Sequence, residues 1–77
     1  MHKLTESRLL AGFIYGDSRT KEYVYLPGSE LDSDNPFLIY EEDGHREDVP
    51  MDRALEIIEK RSLRQTVHPL FGKNTMQ

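Results

Sequence analysis

The chain of 77 residues contains no cysteine and no tryptophan. Because it lacks cysteine, it can form neither a disulfide framework nor a thiolate zinc site, and its fold must be held together by packing. Such a chain is typical of a reducing compartment, so we expect a cytoplasmic protein. It also lacks an apolar run long enough for a membrane span or a signal peptide, so we expect neither insertion nor export.

Motifs that identify a reaction are absent as well. The three histidines, His2, His45 and His68, lie far apart, and no metalloprotease motif, nucleophile elbow or glycine-rich phosphate loop surrounds them. A domain of this size buries only about 60% of its unfolded surface and has little core to spare for a catalytic cavity. We therefore expect no catalytic residue, no cofactor and no enzymatic activity.

One acidic segment has a spacing close to that of a calcium loop. Glu30, Asp32 and Asp34 alternate, and Glu41 stands at the twelfth position counted from Glu30. The sixth position, however, holds Asn35 where such loops need glycine, and the second half of the segment is an apolar strand. A solvated surface loop is the preferred interpretation, and no metal site is expected.

The strongest local signal is a β-hairpin. In residues 37–42 an apolar, β-favouring run reaches Asp43-Gly44, the dipeptide that suits a two-residue type I′ turn. The returning residues 45–49 are almost all charged, which is typical of a protected sheet edge. Closing the turn there predicts the pairs Glu42–His45, Glu41–Arg46, Tyr40–Glu47, Ile39–Asp48 and Leu38–Val49.

Residues 50–62 predict the only strongly amphipathic helix. Pro50 suits a first helical turn, and Asp52 complements the positive end of the helix dipole. This helix is wide enough on its apolar side to cover one face of a sheet. The apolar stripe consists of Met51, Ala54, Leu55 and Ile58, with Ile57 at its flank.

The first third of the chain predicts another hairpin, about Arg8 to Leu26. We prefer a strand over residues 8–16, although its leucine, alanine and arginine residues leave a helix over residues 5–13 as the alternative. A turn-forming run then leads into a second strand and places Tyr25 opposite Gly12.

These elements make one α+β domain, with residues 1–7 and 73–77 as frayed ends. The expected architecture is a small antiparallel sheet of two hairpins, with a fifth strand as an option over residues 64–68 and one helix packed on one face. Several strands are apolar on both faces, and one helix covers only one of them. Residues 64–77, a second copy of the chain or another protein must therefore cover the other face.

Charge is distributed unevenly along the chain. Residues 1–50 carry five Lys and Arg against eleven Asp and Glu, whereas residues 51–77 carry five against three. Eight carboxylates and a single Arg46 lie within residues 30–48. Such a surface can occupy a basic groove on a partner as nucleic acid does, although edge protection and solubility explain the same charges.

The preferred hypothesis is a small non-catalytic interaction protein, an inhibitor or adaptor. It would bind a protein with a basic surface, such as a nucleic-acid-binding protein. Tyr23 and Tyr25 would serve as anchors beside the electrostatic contacts. Those contacts are expected at Glu30, Asp32, Asp34, Glu42, Asp43 and Glu47.

The alternative hypothesis is a module that binds nucleic acid directly. It ranks second because no RNA-binding motif supports it. Tyr23 and Tyr25 would then stack on bases, as the aromatic residues of single-strand-binding platforms do. The phosphate contacts would come from Lys60, Arg61, Arg64 and Lys73.

Overall fold

The computed structural model describes residues 3–68. In chain order the elements are α1 (Lys3–Leu10), β1 (Ile14–Asp17), β2 (Glu22–Tyr25), a 3₁₀ turn (Gly28–Glu30), β3 (Phe37–Glu42), β4 (His45–Pro50), α2 (Met51–Lys60) and β5 (Arg64–Thr66). The five strands form one antiparallel sheet in the order β4-β3-β2-β1-β5. The predicted α+β class, its two hairpins and its fifth strand are confirmed.

The hairpin of β3 and β4 has the predicted register. Glu42 pairs with His45, and the ladder continues to Leu38 opposite Val49 and Phe37 opposite Pro50. Asp43 and Gly44 both have positive φ, 50° and 89°, as a type I′ turn requires. Because the turn and the apolar alternation specify the same pairing, local sequence was sufficient to fix this part of the sheet.

The amphipathic helix α2 is also confirmed. Its buried residues are Ala54, Ile57 and Ile58, so the buried side of the helix includes Ile57 at the flank of the stripe. Pro50 is the last residue of β4 and the N-cap of the helix. The helix ends where Ser62 adopts a left-handed conformation with φ 54°.

The N-terminal region differs from the prediction. Residues 3–10 form α1, so the preferred strand over residues 8–16 was wrong in its first half, while the expected fraying of residues 1–7 stays a prediction. The helix ends because Gly12 takes a left-handed conformation, φ 99°, while the Phe13 N–H donates to the Arg8 carbonyl at 2.9 Å. These are the features of a Schellman cap, and they leave only residues 14–17 for β1.

The register of β1 and β2 is also shifted from the prediction. Gly16, rather than Gly12, lies opposite a tyrosine, and that tyrosine is Tyr23 rather than Tyr25. The turn consists of residues 18–21, with Lys21 at φ 60°, and so lies one residue later in the chain than predicted. Asp17 therefore belongs to β1, and the cross-strand pairs change accordingly. A Cβ at Gly16 would lie 2.5 Å from the ring of Tyr23, so only glycine fits beneath this ring.

The sheet buries apolar side chains on both faces. The face toward the helices, here called the helix face, packs against α2 and against Leu9 of α1. The opposite face, here called the tyrosine face, buries a smaller cluster. The helix-face cluster contains Leu9, Tyr15, Val24, Leu26, Leu38, Val49, Ala54, Ile57, Ile58 and Leu63. The tyrosine-face cluster contains Ile14, Tyr23 and Tyr25, with Ile39 packed against it.

The predicted cover of the second face falls only partly within the described residues. Of residues 64–77, the structure describes β5 and continues to His68, whose ring contacts Tyr23 and Tyr25 on the tyrosine face. Residues 69–77, including the end predicted to fray, lie outside the described range. Cover by a second copy of the chain stays a prediction. Within residues 3–68, neither helix has the length and apolar character needed to cross a bilayer.

Candidate functional site

Four carboxylates lie exposed along the hairpin at one edge of the sheet. Glu42 ends β3, Asp43 lies in the turn, and Glu47 and Asp48 lie on the edge strand β4. Two of the cations nearby, Arg46 and Lys21, have carboxylate partners. Arg46 Nε lies 3.6 Å from Glu41 Oε1, and Lys21 Nζ lies 3.7 Å from Asp43 Oδ1. We call Glu42, Asp43, Glu47 and Asp48 the acidic edge.

The backbone of β4 adds to this edge. In a hairpin closed by a two-residue turn, Glu42 and His45 are a hydrogen-bonded pair, and such pairs alternate along the ladder. The N–H and C=O groups of Arg46 and Asp48 therefore point away from the sheet. The acidic edge consequently combines negative charge with backbone groups that are open to a partner.

The other predicted acidic contacts lie elsewhere. Glu30 accepts a hydrogen bond from the Phe37 N–H at 3.3 Å, and Asp32 and Asp34 are exposed in the loop before β3. Five residue steps along β3 separate this loop from the hairpin turn, about 17 Å. The six predicted carboxylates therefore form two separate groups rather than one contact surface. Within residues 3–68, no group of three His, Asp or Glu side chains could hold a metal ion.

The two predicted tyrosine anchors are buried. Tyr23 is 3% exposed and Tyr25 is 5% exposed, so neither presents its ring to a partner, a nucleic-acid base included. The register explains this, because both side chains point from the central strand β2 into the tyrosine face. Burial, followed by the nearby Glu41 carboxylate, raises the pKa of both hydroxyls.

A buried cluster on the tyrosine face centres on Glu41, which is 7% exposed. The Tyr25 hydroxyl donates to Glu41 Oε1 at 3.2 Å, and His68 Nε2 lies 3.1 Å from the same oxygen. The His68 ring is 1% exposed and lies 4.7 Å from the Tyr23 ring, centroid to centroid. Sequence reasoning missed this cluster, because nothing near His68 indicates that it meets a carboxylate 27 residues earlier.

A second buried carboxylate, Glu22, lies on the helix face and is 2% exposed. It accepts hydrogen bonds from the Tyr40 hydroxyl at 2.9 Å and the Thr20 hydroxyl at 2.8 Å, and Arg61 Nη2 lies 2.5 Å away. Burial acts to raise the pKa of Glu22, but these three donors outweigh it and hold the pKa below its ordinary value. Burial and this carboxylate together raise the pKa of Tyr40 to about 12.

The predicted basic residues also separate. Arg61 and Arg64 line a cleft of 560 Å³ together with Arg19, which the sequence did not indicate. Lys60 lines a different and smaller cleft, beside the carboxylates of Glu47 and Glu56. Lys73 lies outside the described residues. The structure therefore brings two of the four predicted phosphate contacts together.

No protein-family model, no curated protein sequence and no solved structure matches this chain.

Proposed function

We propose that this is a small non-catalytic interaction protein, an inhibitor or adaptor, that binds a protein with a basic surface through its acidic edge. The observation that carries the proposal is the exposure of Glu42, Asp43, Glu47 and Asp48 along one hairpin. Within residues 3–68, Glu42, Glu47 and Asp48 have no ion-pair partner, so their charge is available to a cationic surface.

The proposed mechanism is occupancy of a basic groove. Charge complementarity attracts the partner and orients the encounter, and the open backbone groups of Arg46 and Asp48 supply hydrogen bonds once contact is made. A nucleic-acid-binding protein fits this description, because its groove is built to receive a row of negative charges. We place the interaction in the cytoplasm, the compartment expected for a chain without cysteine.

Two variants that each remove two exposed carboxylates test the proposal. E47Q/D48N removes two of the four carboxylates of the acidic edge, whereas D32N/D34N removes two carboxylates from the loop at the other end of β3. Both leave every buried group intact, so both should fold as the parent protein does. Immobilised parent and variant proteins would be exposed to extract from the native host, and bound proteins quantified by mass spectrometry.

We expect the parent and D32N/D34N to retain the same basic proteins and E47Q/D48N to lose them. Retention should also weaken as salt is raised, because exposed charges are screened. Equal retention by all three proteins, or a loss confined to D32N/D34N, would contradict the proposal.

Direct nucleic-acid binding is the second candidate, favoured by the shared cleft of Arg61 and Arg64. Fluorescence anisotropy with labelled single-stranded DNA and RNA tests it, at low and at physiological salt. The acidic-edge proposal expects no appreciable affinity for either probe. If the second candidate holds, the probes bind and R64Q weakens that binding.

A further inference from the structure

A basic cleft lies at the edge of the sheet opposite the acidic edge. Its walls are the turn between β1 and β2 and the connection from α2 to β5. Because β4 and β5 are the two outer strands, four strand spacings, about 19 Å, separate the two edges. The cleft and the acidic edge are therefore separate surfaces.

Two of the three arginines in this cleft contact carboxylates: Arg61 is held by a buried one, while the Arg19 side chain is 88% exposed and contacts Asp17 at the surface. Arg61 is 48% exposed, and its Nη2 binds the buried Glu22 at 2.5 Å. Arg19 binds Asp17 through its backbone N–H at 2.9 Å and through Nε and Nη2 at 3.4 Å. A guanidinium has five N–H donors, so each of these arginines keeps donors for a ligand. Fixing the side chain beforehand lowers the entropy lost on binding.

The remaining lining groups suit an oxyanion. Arg64 extends from β5, and Ser18, Ser62 and Thr66 contribute hydroxyls. Three arginines against the single carboxylate of Asp17 give the lining a formal charge of +2, which the buried Glu22 against Arg61 reduces to +1, in a chain whose net charge is −4. The cleft volume of 560 Å³ lies within the range of small-molecule sites, about 300–1,000 Å³.

We infer that this cleft binds the phosphate group of a small phosphorylated molecule. A phosphomonoester is an anion near neutral pH, so its charge is opposite in sign to that of the lining, and its three terminal oxygens accept the forked donors of arginine. Arg64 is the main ligand contact. Arg19 and Arg61, already oriented by Asp17 and Glu22, bind the other oxygens.

The test is a titration of the full chain, followed by ¹H–¹⁵N NMR. Inorganic phosphate and a nucleoside 5′-monophosphate are the probes, with sodium chloride at matched ionic strength as the blank. We expect saturable shifts of amide signals around the cleft, at Gly16, Ser18, Ser62 and Thr66, and we expect chloride to produce no such shifts. Shifts that do not saturate, or that chloride reproduces, would overturn the inference.

Matched variants locate the binding. R64Q removes an exposed cation of the cleft, while R53Q removes an exposed cation on α2, which lies outside the cleft and pairs with Glu56. We expect R64Q to weaken phosphate binding roughly tenfold, as the loss of one charge-assisted contact implies, and R53Q to leave it unchanged. Equal weakening by both variants would mean that only net charge matters, and would overturn a discrete site.

A variant at Arg61 separates ligand contact from structural support. R61K keeps the charge and the ion pair to Glu22 within reach, so the fold should persist, but it removes the forked donor geometry. Weaker phosphate binding with an unchanged unfolding midpoint is the expected result. An oligonucleotide arm completes the test: binding that grows with strand length, while both small probes fail to bind, would overturn the phosphate site in favour of a polyanion surface.

Discussion

Glu22 and Glu41 are two buried glutamates on neighbouring strands that face opposite sides of the sheet. Glu22, on β2, accepts a hydrogen bond from the hydroxyl of Tyr40 on β3. Glu41, on β3, accepts one from the hydroxyl of Tyr25 on β2. In both cases the tyrosine is the diagonal cross-strand neighbour, within reach of a long side chain. In each case one of the two strands supplies the buried carboxylate and the other supplies the tyrosine hydroxyl that donates a hydrogen bond to it.

The remaining partners differ, and this difference separates the two sites chemically. Glu22 has Arg61, a cation that stays charged at any relevant pH, and that contact ties the end of α2 to the sheet. Glu41 has His68 as its closest ring partner, with the more distant Arg46 at 3.6 Å. A permanent ion pair therefore stabilises the helix face, whereas on the tyrosine face the nearest partners of Glu41 are an imidazole nitrogen and a tyrosine hydroxyl.

Removing the Glu22 carboxylate should cause the largest loss of stability. In Glu22→Ala the hydroxyls of Tyr40 and Thr20 lose their acceptor, and α2 loses its contact through Arg61. We expect the free energy of unfolding to fall by about 2–3 kcal/mol, below the full cost of breaking a buried pair because Arg61 remains partly hydrated. Urea denaturation measures this, with Glu42→Ala on the exposed end of β3 as the control; equal losses would contradict the role of Glu22.

Replacing His68 should give the next largest effect. His68→Phe retains a ring against Tyr23 and Tyr25 but removes the nitrogen that lies 3.1 Å from Glu41. We expect a loss of about 1.5 kcal/mol, because Glu41 keeps its contacts with Tyr25 and Arg46. The same urea series measures it. A phenylalanine variant as stable as the parent protein would show that ring packing alone holds this residue.

Removing each tyrosine hydroxyl compares the two sites directly. Tyr40→Phe deletes the 2.9 Å hydrogen bond to Glu22, and Tyr25→Phe deletes the 3.2 Å hydrogen bond to Glu41. We expect each to cost about 1 kcal/mol, with the larger loss for Tyr40 because its bond is shorter. The difference between the two unfolding free energies is the measurement, and the reverse order would contradict the ranking.

Lowering the pH should gradually remove the stabilisation that the ion pair of Glu22 and Arg61 provides. The pKa of Glu22 in the folded protein lies below its ordinary value of 4.5. Its contribution to stability is therefore fully present above pH 4.5 and is lost as the pH falls through the folded-state pKa, since the unfolded chain binds the proton first. In Glu22→Gln the unfolding free energy should depend less on pH below 4.5. An equal dependence on pH in the parent protein and in Glu22→Gln would contradict this assignment.

The predictable part of the fold is the part in which local signals agree. Asp43-Gly44 and the alternation of residues 37–42 specify the same register, so the hairpin of β3 and β4 could be derived residue by residue. The residue types at positions 5–13, by contrast, are compatible with a strand and with a helix almost equally. The decision there depends on Gly12, which ends α1 in a left-handed conformation that sequence propensity does not encode.

For the surfaces, the sequence predicts which charged residues are present but not how the fold arranges them. An excess of carboxylates in residues 30–48 is visible in the sequence, but its division between a loop and the acidic edge follows from the length of β3. The cleft of Arg19, Arg61 and Arg64 could not be derived, because it requires β5 to lie beside β1. The same pairing brings His68 onto the tyrosine face, where it meets Glu41.

That pairing of the first strand with the last also governs the order of assembly. β1 to β4 form a meander of neighbours in sequence, whose loops close at small entropic cost. Ile14 of β1, in contrast, pairs with Thr66 of β5, far away in sequence. During synthesis β5 can therefore join the sheet only after residue 66 has left the ribosome. Until then the outer side of β1 stays an open edge in the nascent protein, and β5 is the strand that closes it.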